Sequence, residues 1–372
     1  MTNEFYFYTE GLTVGYHGTP LIQNIDICLK KGEILTLIGP NGAGKTTILK
    51  SIIKQLALIA GTVYLDGSST EELSGRDLSK TMSVVLTERV RSEMISCEDV
   101  VATGRYPYTG RFGVLTEHDR RMVKEAMELV HIGELKDRDF TKTSDGQKQR
   151  VMLARAICQE PDIIVLDEPT SFLDIRHKLE FLSIIQNMSR KHHLSVIMSL
   201  HELELAQRIS DKIACVKGDK IDRFGSPEEI FTPGYITGLY GMTVGSYDEQ
   251  SGSLELEPER GEPEVFVLCG CGTGTAVFRR LQRAGTPFAA GILWENDLDY
   301  PAAKALASEV VSVKPFCRID RMALDRAKEL IRSCREVICT VKPEDMGELA
   351  QEYRELLMLF LCRNRKSLDS QK

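Results

Sequence analysis

The sequence predicts an α/β protein of two unequal units, and three observations carry the prediction. Apolar runs of strand length alternate with amphipathic helical stretches over the larger, first part of the chain, the pattern of βαβ units and a largely parallel sheet. One of those runs leads through the glycine-rich "GPNGAGKTT" into a helix. The alternation then stops at a polar stretch and restarts, which marks a second, smaller unit.

In the first unit the strand runs are "EILTLIG" (33–39), "MSVVLT" (82–87), "DIIVLDE" (162–168), "LSVIMSL" (194–200) and "KIACVKG" (212–218). Residues 115–137, "LTEHDRRMVKEAMELVHIGELKD", keep apolar positions at helical spacing without a strand, so they predict a helical insertion. The stretch 247–264, "YDEQSGSLELEPERGEPE", is polar, punctuated by glycine and proline and poor in large apolar residues. It places the first unit at residues 1–258, a linker at 259–264 and the second unit at 265–372. There "VFVLC", "FAAGILW", "VVSV" and "EVICTV" alternate with helices, which predicts a Rossmann-like unit of four strands.

Composition bounds the function. A chain of 372 residues, 42% hydrophobic and 27% charged, is that of a soluble globular protein of two or three units. A net charge of −7 argues against nucleic acid, whose phosphates require a basic stripe. Ten cysteines without a repeated spacing read as reduced thiols rather than disulfides. "MTNEFYFYTEGL" lacks the basic start and apolar stretch of a signal peptide, so export is not expected. Apolar runs such as "LLMLFLC" fall short of the roughly 20 residues that cross a bilayer. Work at a membrane would need another chain to span it.

The strongest motif is "GPNGAGKTT": Gly39, Pro40, Asn41, Gly42, Ala43, Gly44, Lys45, Thr46 and Thr47 satisfy G-x-x-x-x-G-K-[ST] between a strand and a helix. Such a loop wraps phosphates with backbone N–H groups, and the helix that follows adds the positive end of its dipole. Lys45 reaches the β- and γ-phosphates, and the Thr46 hydroxyl ligates Mg²⁺. "IIVLDEPT" (163–170) then delivers two carboxylates to a strand end, Asp167 for the Mg²⁺ shell and Glu168 to orient or deprotonate an attacking water.

Between these motifs lies "TSDGQKQR" (143–150). With the three in that order, residues 1–258 resemble the ATPases of ABC transporters, a P-loop fold with a helical subdomain, here about residues 88–160. The resemblance implies ATP and Mg²⁺ as ligands and ATP hydrolysis as the activity. It implies that a signature of the form L-S-G-G-Q serves the γ-phosphate of ATP held by the opposite subunit. Ser144, Gly146 and Gln147 match that signature, while Thr143 replaces its leucine and Asp145 its first glycine. Asp145 must then point away from the phosphates or into the helix N-terminus, where an acid is favourable. By the same resemblance Tyr16 in "VGYHG" stacks on adenine, Asp174 in "SFLD" crosses to the partner subunit, and His201 in "SLHE" contacts the γ-phosphate. Where the family carries a glutamine that senses Mg²⁺, this sequence has Thr87, followed by Glu88. Threonine is shorter, and Glu88 serves only if the loop shifts by one residue.

"ATGRYPYTGRFG" (102–113), "SDGQKQR" and "EPTSFLD" look most like the ATPases of iron-siderophore, haem and cobalamin importers. The resemblance therefore implies a homodimer with two sandwiched ATP molecules, docked through residues 88–140 on a separate membrane permease, and indirectly a substrate-binding protein. It places the chain at the cytoplasmic face of the membrane. Two other readings stay open on sequence: a non-transport ABC ATPase acting on a soluble partner, and a regulator that binds nucleotide without hydrolysis, which Thr87 and Asp145 would suit.

In the second unit, Gly270, Gly272 and Gly274 of "FVLCGCGTGTAVFRRL" resemble a dinucleotide loop, with Glu295 where a ribose-binding acid would sit. The spacing is G-x-G-x-G, and a tight turn in a structural or dimerising module is the other reading. Cys269 and Cys271 form a C-x-C pair that suits either a soft metal or a buried core. The unit is expected to be accessory or regulatory, sensing a metabolite or metal and biasing closure of the dimer.

Overall fold

All five strand runs of the first unit enter one sheet in the computed structural model, which describes residues 4–86, 94–110, 113–171, 173–249, 252–342 and 351–369. Ile34–Ile38 pairs with Lys212–Lys217 on one side and Ser195–Ser199 on the other, and Ile163–Leu166 and Met82–Val85 follow outward, all parallel. Lys220–Gly225 adds an antiparallel edge. Every residue of Ile34–Ile38, Ile163–Leu166 and Ser195–Ser199 is buried. Strands covered on both faces lose the in-and-out alternation, which is why they read as continuous apolar runs. Because they are parallel, the loops after Ile38, Leu166 and Ser199 emerge at one edge, where α/β sheets place their ligands.

A second, antiparallel sheet was not assigned from sequence. Phe7–Tyr16 pairs with Thr19–Ile25, Cys28–Leu29 and Ala60–Leu65. Register shifts around Leu12 and Val14 interrupt the two-residue period, so the usual strand signal is lost. The helix Lys45–Ile52 buries Ile48, Leu49 and Ile52 among Leu35 and Leu37 of the first sheet and Phe7, Leu12 and Val63 of the second. That contact fixes the helix whose N-terminus ends the glycine loop.

The insertion is helical as expected, with Cys97–Ala102 and Glu117–Leu129 against Asp145–Cys158. Thr116 and Asp119 form a reciprocal cap at the start of Glu117–Leu129. Asp119 also meets Arg105, a guanidinium only 1% exposed. Arg105 donates to Asp119 Oδ1 (2.8 Å), Glu160 Oε2 (2.7 Å) and the Cys158 carbonyl (2.7 Å). It thereby ties the insertion to the end of the helix that begins at the signature. Burial works to raise the Asp119 carboxyl, but the Thr116 hydroxyl and N–H and the Arg105 guanidinium outweigh it and hold the pKa down, to about 2.

The second unit is a four-stranded parallel sheet in the order Glu309–Val313, Phe288–Trp294, Val265–Leu268, Glu336–Cys339. By its contacts the chain divides after Tyr235, earlier than the composition suggests. Part of the polar stretch is the cause: Ser246–Asp248 and Ser253–Glu255 form an antiparallel pair, and buried Glu255 meets Arg279 of the helix Thr275–Arg283. A polar composition conceals a hairpin anchored by an ion pair.

Arg105→Ala is expected to lower the unfolding free energy by about 3–5 kcal/mol in urea denaturation, because it strands Asp119 as a buried, unpaired charge. A carboxyl with a depressed folded pKa gives stability that is complete above its unfolded value and lost as pH falls through the folded one. Wild-type stability should therefore drop between about pH 4 and about pH 2 more steeply than that of Asp119→Asn.

Candidate functional site

The glycine loop is shaped by its surroundings before any ligand is considered. Gly39 has φ 147°, and a Cβ there would lie 2.3 Å from the Val216 carbonyl. Gly44, at φ 96°, ends the loop in a left-handed conformation that opens the helix Lys45–Ile52. Lys45 is 5% exposed and donates to the carbonyls of Gly39 (2.7 Å) and Pro40 (3.1 Å). Burial lowers the pKa of its ammonium, while the carboxylates of Glu168 and Asp167 work against that. A cation beside loop N–H groups is the chemistry a polyphosphate needs.

A cleft of ≈ 490 Å³ joins this loop to the other predicted groups. Tyr16, Asn41, Gly42, Gly44, Lys45, Thr46, Thr47, Glu168 and His201 line it. Tyr16 is half exposed and lines the cleft, with its hydroxyl 3.1 Å from Thr47 Oγ1. Thr46 Oγ1 donates to Asp167 Oδ1 at 3.1 Å. Two hard oxygens converge there beside the phosphate loop, a donor set that suits Mg²⁺.

Asp167 and Glu168 follow the strand Ile163–Leu166 directly. Glu168 sits at φ 47°, a left-handed backbone that is uncommon for a side chain of its size. Its carboxylate is 2.5 Å from His201 Nε2 through Oε1 and accepts from Ser171 Oγ (3.2 Å) at Oε2. The acid and the histidine thus form one pair spanning two strand ends. A residue that sequence reasoning passed over joins them: Ser199 donates to Asp167 Oδ1 (2.7 Å) and accepts from the Glu168 N–H (2.9 Å). Glu202, after His201, accepts from Thr170 (2.9 Å) and Lys178 (2.5 Å), which links this loop to the helix Ile175–His192.

The signature residues lie apart from the lining of the cleft. Ser144 caps the helix Asp145–Cys158: its Oγ accepts from the Gln147 N–H (3.3 Å), and its own N–H donates to Gln147 Oε1 (3.0 Å). Asp145 occupies the first turn of that helix, 3.7 Å from Lys148, where an acid complements the dipole. A Cβ on Gly146 would come within 3.1 Å of the His177 ring. The backbone N–H of His177 donates to Asp174 Oδ1 (2.9 Å), and its ring Nδ1 lies 2.9 Å from the same oxygen, so the signature and the Asp174 loop abut through one residue. Thr87 and Glu88 lie outside the described residues.

In the second unit the glycine loop is arranged differently from a dinucleotide site. Asp299, fully buried, accepts from the N–H groups of Gly274 and Thr275 (both 2.8 Å) and from the Thr275 hydroxyl (2.7 Å). Asp297 accepts from the Cys271 N–H (2.9 Å). The donors that would bind a pyrophosphate at the N-terminus of Thr275–Arg283 are taken by the chain's own acids. Gly274 answers a packing demand, since a Cβ would meet Cys269 Sγ and Phe278 at 2.7 Å. Glu295 is exposed after its strand. Cys269 is buried, which pushes its thiol pKa well up, whereas Cys271 is exposed. The two thiols face different environments, and among the described residues no three His, Cys, Asp or Glu side chains gather as a metal site.

Residues 22–171 match the ABC transporter family, and residues 288–367 match the MJ0874 family. An uncharacterized ABC transporter ATP-binding protein of Methanocaldococcus jannaschii is 42% identical over 275 residues, 73% of this chain and 94% of that protein. A cobalamin import ATP-binding protein of Halobacterium salinarum is 31% identical over 317 residues, 83% of this chain and 79% of that protein. Among solved structures, a transporter described as of the metal-chelate ABC type, in an inward-facing conformation, superposes with a TM-score of 0.57 at 25% identity. That match covers 68% of this chain and 95% of the other.

Hydrogen bonds to a charged group are worth about 1.5–3 kcal/mol each. Asp299→Ala is therefore expected to destabilise the second unit by at least about 3 kcal/mol. Trp294 is the 1 tryptophan of the sequence, so thermal unfolding followed by its fluorescence reads the second unit alone.

Proposed function

Since the chain belongs to the ATP-binding proteins of ABC transporters and is an ABC-type ATPase, we propose that it energises import of a metal chelate, namely an iron-siderophore complex, haem or cobalamin. The observation that carries the reading is one cleft holding the phosphate loop, Tyr16, and the Glu168–His201 pair, with Asp167 behind Thr46. Two of the similar proteins are described as a cobalamin import ATP-binding protein and a metal-chelate type ABC transporter, which supports the class of cargo.

In this reading the loop N–H groups and Lys45 bind the β- and γ-phosphates, and Tyr16 stacks on the base. Lys45 exchanges its bonds to the Gly39 and Pro40 carbonyls for bonds to phosphate oxygens. Mg²⁺, held by Thr46 and Asp167, would neutralise phosphate charge. Glu168 Oε1 holds the attacking water and takes its proton, and His201, already against that carboxylate, donates to the γ-phosphate. Asp174 and the signature Ser144, Asp145, Gly146 and Gln147 do not line their own chain's cleft, and they serve a second copy's ATP.

A homodimer with two ATP molecules follows, docked on separate permease subunits that receive cargo from a substrate-binding protein. No helix among the described residues is long and apolar enough to cross a membrane. Peripheral attachment at the cytoplasmic face through the helical insertion completes the proposal.

Glu168→Gln is expected to keep Mg-ATP affinity and lose about 10²–10⁴-fold in turnover. Phosphate release alongside nucleotide binding measures both, and wild-type turnover in this variant would remove Glu168 as the base. Co-purification with a permease, followed by ATP-dependent uptake into vesicles of an iron chelate, haem or cobalamin, tests the transport role. Absence of a permease partner and of uptake for all three would refute it.

A further inference from the structure

We propose that Ser199 is a positioning residue for hydrolysis, aligning Asp167 and Glu168 at once through a single hydroxyl. The proposal rests on the reading of those two acids given above and adds a residue to it. Ser199 ends a strand whose other members include Val196, Ile197 and Met198, and it is fully buried. A hydroxyl in such a place is costly unless its bonding capacity is used. Here it is used on both sides: the proton goes to Asp167 Oδ1 at 2.7 Å, and a lone pair takes the Glu168 N–H at 2.9 Å.

The placement follows from strand register. Leu166 pairs with Met198 across the parallel ladder, so the next step along each strand brings Asp167 beside Ser199. Two acids in succession then depend on one neighbour for different reasons. Asp167 shares Oδ1 between the hydroxyls of Thr46 and Ser199, and Thr46 is the one that faces the cleft. When the Thr46 oxygen is engaged by a divalent cation, the Ser199 bond still holds the carboxylate. Glu168 holds φ 47° while its side chain meets His201, and the bond from its N–H to Ser199 stabilises that conformation.

The test compares wild type, Ser199→Ala and Ser199→Thr in the full-length protein. Mn²⁺ binding in the presence of a non-hydrolysable ATP analogue is followed by electron paramagnetic resonance, and nucleotide binding in EDTA by a fluorescent ATP analogue. Ser199→Ala is expected to weaken Mn²⁺ binding about tenfold and to lower turnover at saturating Mg²⁺ by about tenfold or more, the loss of bonds to charged and strained partners. Metal-free nucleotide affinity is expected to stay at the wild-type value, and Ser199→Thr, which keeps the hydroxyl, to recover Mn²⁺ binding.

Equal Mn²⁺ affinity in wild type and Ser199→Ala overturns the proposal while leaving the reading of Asp167 and Glu168 intact. So does a parallel loss of metal-free nucleotide affinity, which is what a general packing defect would produce. If wild type itself binds no Mn²⁺ with the nucleotide, the reading of the acids falls and the role of Ser199 with it.

Discussion

The nucleotide unit depends on the convergence of parallel strand ends on one carboxylate. Asp167 accepts hydroxyl protons from Thr46, which follows the central strand by way of the glycine loop, and from Ser199, at the end of the neighbouring strand. Two segments distant in sequence from it and from each other are thereby fixed to the same oxygen. The strain at Glu168 is tolerable because its N–H is bonded within this cluster. The Glu168–His201 pair inherits its geometry from the same bonds. The apolar interior supplies the platform, and a few polar bonds at its edge supply the alignment.

The signature segment has its own local logic. Ser144 and Gln147 satisfy each other at the helix N-terminus, and Asp145 sits where the helix dipole favours an acid. An aspartate in place of glycine is therefore compatible with the helix it starts. His177 lies between Gly146 and Asp174, the two features assigned to a second subunit's ATP. Closure on a partner would move them together, and Glu202 connects the same helix to the loop of His201 through Lys178. The second unit shows how a similar glycine loop can serve packing instead. Asp299 fills the helix N-terminus from within, so the loop is braced rather than open to an anion.

Much of this was legible in the sequence where one local cause dominates. The strands Ile34–Ile38, Ile163–Leu166 and Ser195–Ser199 announced themselves because burial on both faces leaves only apolar residues. The phosphate loop was legible because backbone curvature and helix start dictate residue type at fixed spacing. The bulged strand Phe7–Tyr16 was not, since its period is broken, and the hairpin Ser246–Asp248 with Ser253–Glu255 was hidden by a polar composition. Ser199, Arg105 and Asp299 escaped for a different reason. Each matters through partners far away in sequence, so a lone serine in an apolar strand, an arginine after a glycine or an acid in "ENDLD" carried no sign of its neighbours.

The central claim is that one chain carries two halves of different ATP sites and hydrolyses ATP only when paired with another copy. Turnover per subunit, measured against subunit concentration with sedimentation in parallel, tests it most directly. Specific activity should rise with concentration along the same curve as the ATP-bound dimer, and Ser144→Arg should stay monomeric and inactive while still binding ATP. Constant turnover per subunit down to concentrations where only monomer sediments would contradict the account.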